Sequence, residues 1–299
     1  MSNQCAEDAQ FTEDGSLTLK DDETGELYHN RAGAYTEALA NFVEPLSLTE
    51  LAGQKRPLAF LDVCFGLGYN TFCLLNELSN LDLQADSIKV VAIEKFEKPL
   101  LYIGRVLADE RFQKLNMQIT RQAPGLAAGQ FGNWMFFLPC GTREVRVDIE
   151  LSQADLRQLV PSLATTASGT FDGIFHDPFS ARRAPELWTI DLFECYKHLL
   201  REPNGKVVTY SAASAIRGGF HQCGMVVRRT TAVGAKSGGT LVMLPSASHV
   251  HDAGLPLLSD ESDRLAGRAG VPYRDAQFCK TSKEILRCRE EEQKLLFPW

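Results

Sequence analysis

The sequence predicts an α/β fold, a mostly parallel sheet of seven strands that ends in an antiparallel pair. Short apolar runs alternate with helical ones, which is typical of parallel strands covered by helices on both faces. The last two runs flank a glycine-rich stretch and resemble an antiparallel pair at one edge. With 299 residues, 44% of them hydrophobic, the chain can bury a full core. The seven runs are Leu58–Cys64, Ile88–Ile93, Val145–Leu151, Phe171–Phe175, Lys206–Tyr210, Val226–Thr231 and Thr240–Leu244.

Composition divides the chain into three segments. Residues 1–56 are polar and are predicted to be an N-terminal extension packing on the core. Pro57 marks the start of the alternating strands and helices, and residues 57–245 are the predicted ligand-binding domain. Residues 246–299 begin with a linker composition and continue as a C-terminal accessory segment.

Several shorter patterns predict elements inside these segments. Ser16–Leu19 alternates like a short strand, and Ala34–Leu51 has the apolar spacing of a helix. Gln130–Leu138 contains glycine and aromatic residues, so it is either a loop or an extra strand. Ser282–Leu296 has a charged helical pattern, and we expect this tail to pack onto the core.

The bulk charge and the cysteines restrict the class of protein. A net charge of -7 gives no general attraction to phosphate backbones, so an RNA partner would need a local basic patch. The eight cysteines have no C-x-x-C spacing, which indicates reduced thiols in a cytosol. No export signal and no run of roughly 18 apolar residues is present, so we predict a cytoplasmic protein without a membrane span. His249 and His251 lack a third ligand nearby, so no metal site is predicted.

A glycine turn lies between the first predicted strand and the following helix, in the stretch Phe60–Phe72. Gly66 and Gly68 let the backbone turn tightly and approach a ligand closely. A dinucleotide-binding loop would place a third glycine where Thr71 stands. Asn70 suits a carboxylate or amino group better than a diphosphate. A turn of purely structural purpose remains the alternative.

Two acids accompany this turn. Glu94 ends the second strand, where a carboxylate binds the ribose hydroxyls of an adenosine ligand, whether NAD or S-adenosylmethionine. A solvated carboxylate paired with Lys95 is the alternative for Glu94. Asp62 lies among apolar residues of the first strand and therefore needs a partner.

The stretch Phe171–Phe179 places His176, Asp177 and Phe179 at the carboxyl end of the fourth strand, where open α/β sheets bind ligands. A carboxylate at Asp177 would orient an amine by accepting its N–H and could take its proton. Phe179 would stack a planar base or shape a dry pocket. Alternatively, Asp177 caps the next helix and Pro178 begins it. His176 is expected to be a neutral packing residue.

In this order the motifs resemble those of the S-adenosylmethionine-dependent methyltransferase domain of MnmC, the tRNA 5-methylaminomethyl-2-thiouridine biosynthesis protein. The resemblance runs from about Phe11 to Leu244, and Pro185–Thr189, Pro-Glu-Leu-Trp-Thr, belongs to its most specific part. The stretches that carry it are Thr12–Leu19, Glu26–His29, Gly33–Glu37, Phe65–Asn70, Ala154-Asp155, His176–Phe179 and Pro185–Thr189.

The resemblance implies a Rossmann-like class I methyltransferase that binds S-adenosylmethionine. It implies that Tyr28 and Glu37 lie near the cofactor, that Asp155 faces the adenine, and that Asp177 and Phe179 are the catalytic pair. The other expected cofactor-binding residues are Asp62, Gly66, Gly68, Asn70 and Glu94.

Two glycines of the family pattern are replaced here, by Cys64 and Pro178. Bifunctional members of the family also carry a flavin oxidase domain, and we expect none here, because the sequence has no room for one. The resemblance therefore implies a stand-alone enzyme that converts 5-aminomethyluridine to 5-methylaminomethyluridine at the tRNA wobble position. The basic residues expected to bind that RNA are Arg182, Arg183, Arg217, Arg228, Arg229 and Lys236.

Other functions stay open from the residues alone. A methyl- or aminopropyl-transferase for a small amine would suit the negative charge. The missing third glycine and the antiparallel terminal pair argue against a nicotinamide oxidoreductase. Retention of four acids beside apolar strands argues against a degenerate RNA-binding module.

Overall fold

The computed structural model describes residues 9–21, 27–231, 238–247 and 253–298. The chain forms two compact units, Met1–Ala154 and Asp155–Trp299, and each is described by itself. The predicted boundaries at residues 57 and 245 stay a prediction.

The first unit has a short antiparallel pair and a group of four longer strands. Its strands are β1 (Ala9–Phe11), β2 (Leu17–Leu19), β3 (Leu58–Val63), β4 (Ser87–Glu94), β5 (Gly132–Cys140) and β6 (Arg143–Gln153). β1 pairs with β2. The longer strands lie in the order β5-β6-β4-β3, with β3, β4 and β6 parallel and β5 antiparallel to β6.

The helices of the first unit are α1 (Ala34–Ala38), α2 (Leu48–Ala52), α3 (Tyr69–Ser79), α4 (Ile103–Leu107), α5 (Gln113–Gln122) and α6 (Pro124–Ala127). Shorter helical turns are Leu39–Val43, which is a π-helix, and the 3-10 turns Glu44–Leu46, Pro99–Tyr102 and Glu110–Phe112. The helical spacing of Ala34–Leu51 therefore corresponds to several short helical stretches. Ser47, at φ 63°, has a left-handed backbone that ends one helical stretch before α2 begins.

The second unit contains four strands, five helices and two helical turns among its described residues. The strands are β7 (Gly173–His176), β8 (Lys206–Thr209), β9 (Val226–Arg229) and β10 (Thr240–Met243). The helices are α7 (Leu156–Thr166), α8 (Ile190–Leu199), α9 (Ser214–Gln222), α10 (Ser259–Ala266) and α11 (Ser282–Leu296), and the turns are Pro185–Leu187 and Arg268–Gly270. The strands lie in the order β7-β8-β10-β9, with β7 and β8 parallel and β10 antiparallel to both neighbours.

These elements confirm the α/β fold with parallel strands and an antiparallel terminal pair. β3 is buried at every position, as expected for a parallel strand covered on both faces. The stretch left open between loop and strand is β5, an edge strand. On that edge the Gln122 side chain accepts a hydrogen bond from the Phe137 N–H at 3.0 Å and donates one to the Phe137 carbonyl at 3.3 Å.

The C-terminal segment packs on the second unit. The carbonyl of Tyr273 accepts a hydrogen bond from the Ile190 N–H at 2.9 Å, which ties the segment to the start of α8. Asp275 is fully buried and accepts hydrogen bonds from the N–H groups of Cys279 and Lys280. The helix predicted for Ser282–Leu296 is confirmed as α11, whose capping residue is Thr281.

Within the described ranges, no helix is long and apolar enough to cross a membrane. No group of His, Cys, Asp and Glu side chains there is arranged to hold a metal ion. His249 and His251 lie outside the described residues.

Candidate functional site

The loop between β3 and α3, Cys64–Gly68, is named the glycine loop. Cys64, Gly66 and Gly68 have φ angles of 64°, 55° and 83°, all in the left-handed region. A Cβ added to Gly68 would lie 2.6 Å from a ring carbon of Phe72 and 2.7 Å from one of Phe65, so only glycine fits there. A Cβ added to Gly66 would make only ordinary van der Waals contacts, the nearest at 3.7 Å, so the restriction there is the left-handed backbone.

Glu94 holds the glycine loop from the end of β4. Its Oε2 accepts a hydrogen bond from the Gly66 N–H at 2.8 Å, and its Oε1 accepts from the N–H groups of Lys95 and Phe96 at 2.7 and 2.8 Å. Burial raises the pKa of Glu94, and these three hydrogen bonds oppose that shift. A carboxylate has about four acceptor positions, so these bonds leave capacity at Oε2 for a ligand hydroxyl.

Asp62, in the strand before the glycine loop, is a second acid of the candidate site. It is fully buried in β3, and its Oδ2 accepts a hydrogen bond from the Thr71 hydroxyl at 2.6 Å. Its Oδ1 is buried without a hydrogen-bond partner. Burial, opposed by the Thr71 bond, raises the pKa of Asp62 to about 7. A buried acceptor without a partner costs free energy, so this oxygen is suited to a ligand that donates to it.

Residues of the N-terminal segment lie beside the glycine loop. A Cβ added to Gly66 would be 3.7 Å from the nearest ring carbon of Tyr28. Glu37 Oε2 accepts a hydrogen bond from the Asn30 N–H at 3.0 Å. The Leu17 N–H donates to the Tyr69 hydroxyl at 2.9 Å, which fixes β2 to the first turn of α3. Asn70 follows Tyr69 in that turn and is buried.

This donor and acceptor set fits S-adenosylmethionine. The unpaired oxygen of Asp62 suits the ammonium of a methionine group, and Glu94 has acceptor capacity for ribose hydroxyls. Gly66 carries no side chain, so its backbone can approach a ligand closely.

In the second unit, Asp177–Phe179, named the Asp-Pro-Phe loop, directly follows β7. Asp177 and Phe179 are partly exposed, whereas Pro178 between them is buried. His176, the last residue of β7, is fully buried against the rings of Trp188, Phe193 and Tyr196.

The imidazole of His176 is neutral at ordinary pH. Burial lowers its pKa to about 3, and its Nδ1 lies 2.9 Å from the Tyr196 hydroxyl. His176 is therefore a packing residue, as expected. The helical turn Pro185–Leu187 begins only after further loop residues, so Asp177 does not cap it.

Two side chains hold the Asp-Pro-Phe loop through its carbonyl groups. The Tyr210 hydroxyl donates to the carbonyl of Pro178 at 2.9 Å, and the Trp188 indole N–H donates to the carbonyl of Phe179 at 2.7 Å. The two rings are perpendicular, with centroids 5.8 Å apart.

Asp155 is the N-cap of α7. Its Oδ1 accepts a hydrogen bond from the Arg157 N–H at 3.0 Å and lies 3.5 Å from Arg157 Nε. Arg157 also donates to the Lys280 carbonyl at 3.2 Å and pairs with Asp275 at 3.8 Å. Asp155 is therefore linked to the C-terminal segment through Arg157. Its expected role at the adenine stays a prediction.

The basic patch predicted from the sequence to bind RNA is wrong at Arg217. Arg217 is almost fully buried and donates hydrogen bonds to Thr240, Gly239 and Glu261. These bonds anchor α10 to the terminal strands.

Arg228 and Arg229 also bind carbonyl groups of the segment that precedes α10, at Ala253 and Pro256. Arg182 and Arg183 are exposed, whereas Lys236 lies outside the described residues.

Sequence reasoning missed three functional candidates: Thr71, Trp188 and Tyr210. Thr71 attracted notice only as the residue replacing a glycine, although a hydroxyl in the first turn of a helix after a buried Asp is a recognisable signal. The contact of Trp188 and Tyr210 with the Asp-Pro-Phe loop requires packing between distant segments and has no local signal.

Comparison with known protein families and structures agrees with this geometry. Residues 125–245 match a family of S-adenosyl-L-methionine-dependent methyltransferases. The crystal structure of MNMC2 from Aquifex aeolicus superimposes with a TM-score of 0.75 and 26% sequence identity, covering 96% of this chain and 85% of that one. This similarity confirms the class I methyltransferase fold.

Relatives by sequence include one uncharacterised protein and several MnmC proteins. An uncharacterised protein of Methanocaldococcus jannaschii is 29% identical over 292 residues, covering 95% of this chain and 72% of that protein. The bifunctional MnmC proteins of Methylibium petroleiphilum and Paraburkholderia xenovorans are 25% and 26% identical over 77% and 82% of this chain. These matches span only 35% and 37% of the bifunctional proteins.

Proposed function

Since this chain is an S-adenosylmethionine-dependent methyltransferase related to the methyltransferase part of MnmC, we propose that it methylates the amine of 5-aminomethyluridine at the tRNA wobble position. The observation that carries the proposal is the Asp-Pro-Phe loop at the carboxyl end of β7, where Asp177 and Phe179 are partly exposed. Relatives named for tRNA 5-methylaminomethyl-2-thiouridine biosynthesis support it.

The chemistry requires a neutral amine, because the nitrogen lone pair attacks the methyl group. S-adenosylmethionine would supply that methyl group from its sulfonium: the methyl–sulfur bond breaks as the carbon–nitrogen bond forms, and its electron pair stays on the sulfur of the departing S-adenosylhomocysteine. Asp177 accepts an N–H of the amine, which orients the lone pair, and takes the proton that the nitrogen loses after it is methylated. Phe179 lies two residues further on and excludes water from the amine while stacking on the uracil ring.

The first unit holds the cofactor in this proposal. Asp62 Oδ1 accepts a hydrogen bond from the ammonium of the methionine part, which satisfies its buried oxygen. Glu94 binds the ribose hydroxyls through its Oε2, and Tyr28, Glu37 and Asn70 line the same ligand. Gly66 and Gly68 keep the backbone close to it. In the second unit, Asp155 faces the adenine.

A small-amine substrate is the second candidate, and one observation favours it. Arg217, Arg228 and Arg229 are engaged inside the second unit, so they supply less positive charge for RNA than the sequence indicated. Arg182 and Arg183 are exposed and follow the Asp-Pro-Phe loop closely in sequence, so they are the RNA contacts in this proposal.

The test is transfer of a labelled methyl group from S-adenosylmethionine to tRNA from cells that lack this methylation step. A parallel sample is pretreated with ribonuclease, and a mixture of small polyamines serves as the competing substrate. Asp260→Asn, which neutralises an exposed acid of α10, shows whether a change of overall charge alone affects the methylation of tRNA.

Label recovered in the wobble nucleoside of intact tRNA, and absent after ribonuclease treatment, supports the proposal. Label in the polyamines together with unlabelled tRNA contradicts it and favours the small-amine enzyme. Arg182→Ala combined with Arg183→Ala is expected to raise KM for tRNA and to make it less sensitive to salt, because two phosphate contacts are lost.

A further inference from the structure

The Asp-Pro-Phe loop is held by two donors that come from separate parts of the second unit. Trp188 follows the helical turn Pro185–Leu187, and Tyr210 follows β8. Their hydrogen bonds reach consecutive carbonyls of the loop, those of Phe179 and Pro178. The backbone on the carboxyl side of Asp177 is thereby fixed at two successive peptide groups.

Both donors are themselves rigidly placed. Trp188 is fully buried and packs edge-on against His176 at 4.5 Å and against Tyr210 at 5.8 Å between ring centroids. Tyr210 continues β8, which pairs in parallel with β7. The C-terminal segment holds the chain on both sides of Trp188. Ser282 donates a hydrogen bond to Glu186 at 2.7 Å, and the Tyr273 carbonyl accepts one from the Ile190 N–H.

Methyl transfer tolerates little error in position, because the lone pair of the amine must point along the bond that breaks. A misplacement of about 1 Å can lower a rate by about 100-fold. Groups that fix the backbone beside a reacting side chain therefore affect turnover through the position of that side chain.

We propose that Trp188 and Tyr210 are positioning residues, which aim Asp177 and Phe179 at the substrate amine by binding the carbonyls of Phe179 and Pro178. This inference rests on the proposed role of Asp177 and Phe179. It assigns to the Pro185–Thr189 segment the task of holding the catalytic loop, and to the C-terminal segment the task of supporting it.

The first test compares two substitutions of the same size. Tyr210→Phe removes the hydroxyl that binds the Pro178 carbonyl, whereas Tyr196→Phe removes a hydroxyl that contacts His176 in the same aromatic cluster. We expect Tyr210→Phe to lower the single-turnover rate about 10- to 100-fold with an unchanged Kd for S-adenosylmethionine. Tyr196→Phe is expected to keep the parent rate and to lower only the thermal stability. Trp188→Phe should match Tyr210→Phe if it folds.

Asp177→Ala, assayed in parallel, separates the positioning role of Trp188 and Tyr210 from the catalytic role of Asp177. If Asp177→Ala is inactive and Tyr210→Phe keeps the parent rate, the positioning role is wrong and the catalytic assignment stands. If Asp177→Ala is fully active, the catalytic assignment fails and the positioning role fails with it.

The second test needs no substrate. In protein labelled with ¹⁵N-tryptophan, the indole N–H of Trp188 is expected to exchange slowly with solvent, and its signal is identified by its loss in Trp188→Phe. Tyr210→Phe should accelerate that exchange at least about 10-fold, because the loop loses one of its two anchors. Exchange as slow as in the parent would overturn the inference, and so would equal acceleration by Tyr196→Phe.

Discussion

The glycine loop is held through its amide hydrogens, whereas the Asp-Pro-Phe loop is held through its carbonyl oxygens. At the glycine loop one carboxylate, that of Glu94, accepts hydrogen bonds from the N–H groups of Gly66, Lys95 and Phe96. At the Asp-Pro-Phe loop two neutral donors, Trp188 and Tyr210, bind one carbonyl each.

The difference follows from what each loop leaves available. A buried carboxylate and left-handed glycines create a polar cradle in which Asp62 still lacks a partner for one oxygen. Neutral aromatic donors instead satisfy the backbone carbonyls of the second loop without placing a charged side chain on them. The first loop is suited to binding, and the second is suited to aiming a reactive group.

The largest effect is expected at Asp177 of the Asp-Pro-Phe loop. In the proposed function Asp177 accepts an N–H of the amine and takes its proton, so Asp177→Ala should lower turnover by about 10²- to 10⁴-fold. Asp177→Asn keeps an acceptor but no base and should fall less. Single-turnover assays beside calorimetric binding of S-adenosylmethionine measure this, and weakened cofactor binding in either variant would contradict the separation of the two loops.

The next largest effect concerns Asp62, the buried acid that has a hydrogen-bond partner on only one of its two oxygens. Because burial raises the pKa of Asp62 to about 7, the folded state binds its proton more tightly than the unfolded state does. This stability is present at low pH and is lost as the pH rises from the unfolded pKa towards 7, by about 4 kcal/mol in total.

Unfolding free energies of the cofactor-free protein between pH 4 and 8 test this expectation, with Asp62→Asn as the matched variant. The parent should lose stability relative to Asp62→Asn across that window. Cofactor binding should oppose the loss, since an ammonium beside Asp62 favours its charged form. Parallel pH profiles of the two proteins would show that Asp62 has no raised pKa.

A smaller effect is expected when Glu94, which accepts hydrogen bonds from three backbone N–H groups, is replaced. Glu94→Gln places an NH₂ donor against backbone N–H donors, so at least one hydrogen bond is lost, and we expect a destabilisation of about 1–3 kcal/mol. Glu97→Gln, on an exposed side chain three residues further on, is the control for the loss of charge. Equal denaturation midpoints for the two variants would mean that Glu94 does not hold the glycine loop.

The smallest effect separates the two glycines of the loop. Gly66→Ala adds a Cβ with no atom closer than 3.7 Å, so its cost is that of a left-handed alanine, about 1–2 kcal/mol. Gly68→Ala has the same conformational cost and also forces a contact of 2.6 Å with Phe72. Chemical denaturation should rank Gly68→Ala as the less stable variant, and the opposite order would refute the packing argument.

The same comparison explains what could be predicted from the sequence. The glycine loop depends on residues next to one another and on the strand that follows, so Gly66, Gly68, Asp62 and Glu94 could be singled out from pattern alone. The alternating strands and the terminal antiparallel pair were predictable for the same reason, because periodicity and punctuation are local signals.

The remainder depends on contacts between distant residues. Arg217 looks like a surface charge in sequence, yet Glu261, which satisfies it, lies 44 positions away. Trp188 and Tyr210 reach their loop carbonyls from 9 and 32 positions away. The break at Ser47 inside a regular apolar spacing shows a tertiary constraint overriding a helical pattern.

The side-chain amide of Gln122, the last residue of α5, binds β5, and this has a consequence for the behaviour of the protein at high concentration. β5 is a nine-residue edge strand with exposed Met135 and Phe137, the kind of surface on which a strand of another molecule can dock and start aggregation. By occupying both the N–H and the carbonyl of Phe137, the Gln122 side chain imitates a neighbouring strand for one residue. A foreign strand would have to displace it, so the middle of this edge is a poor template for aggregation.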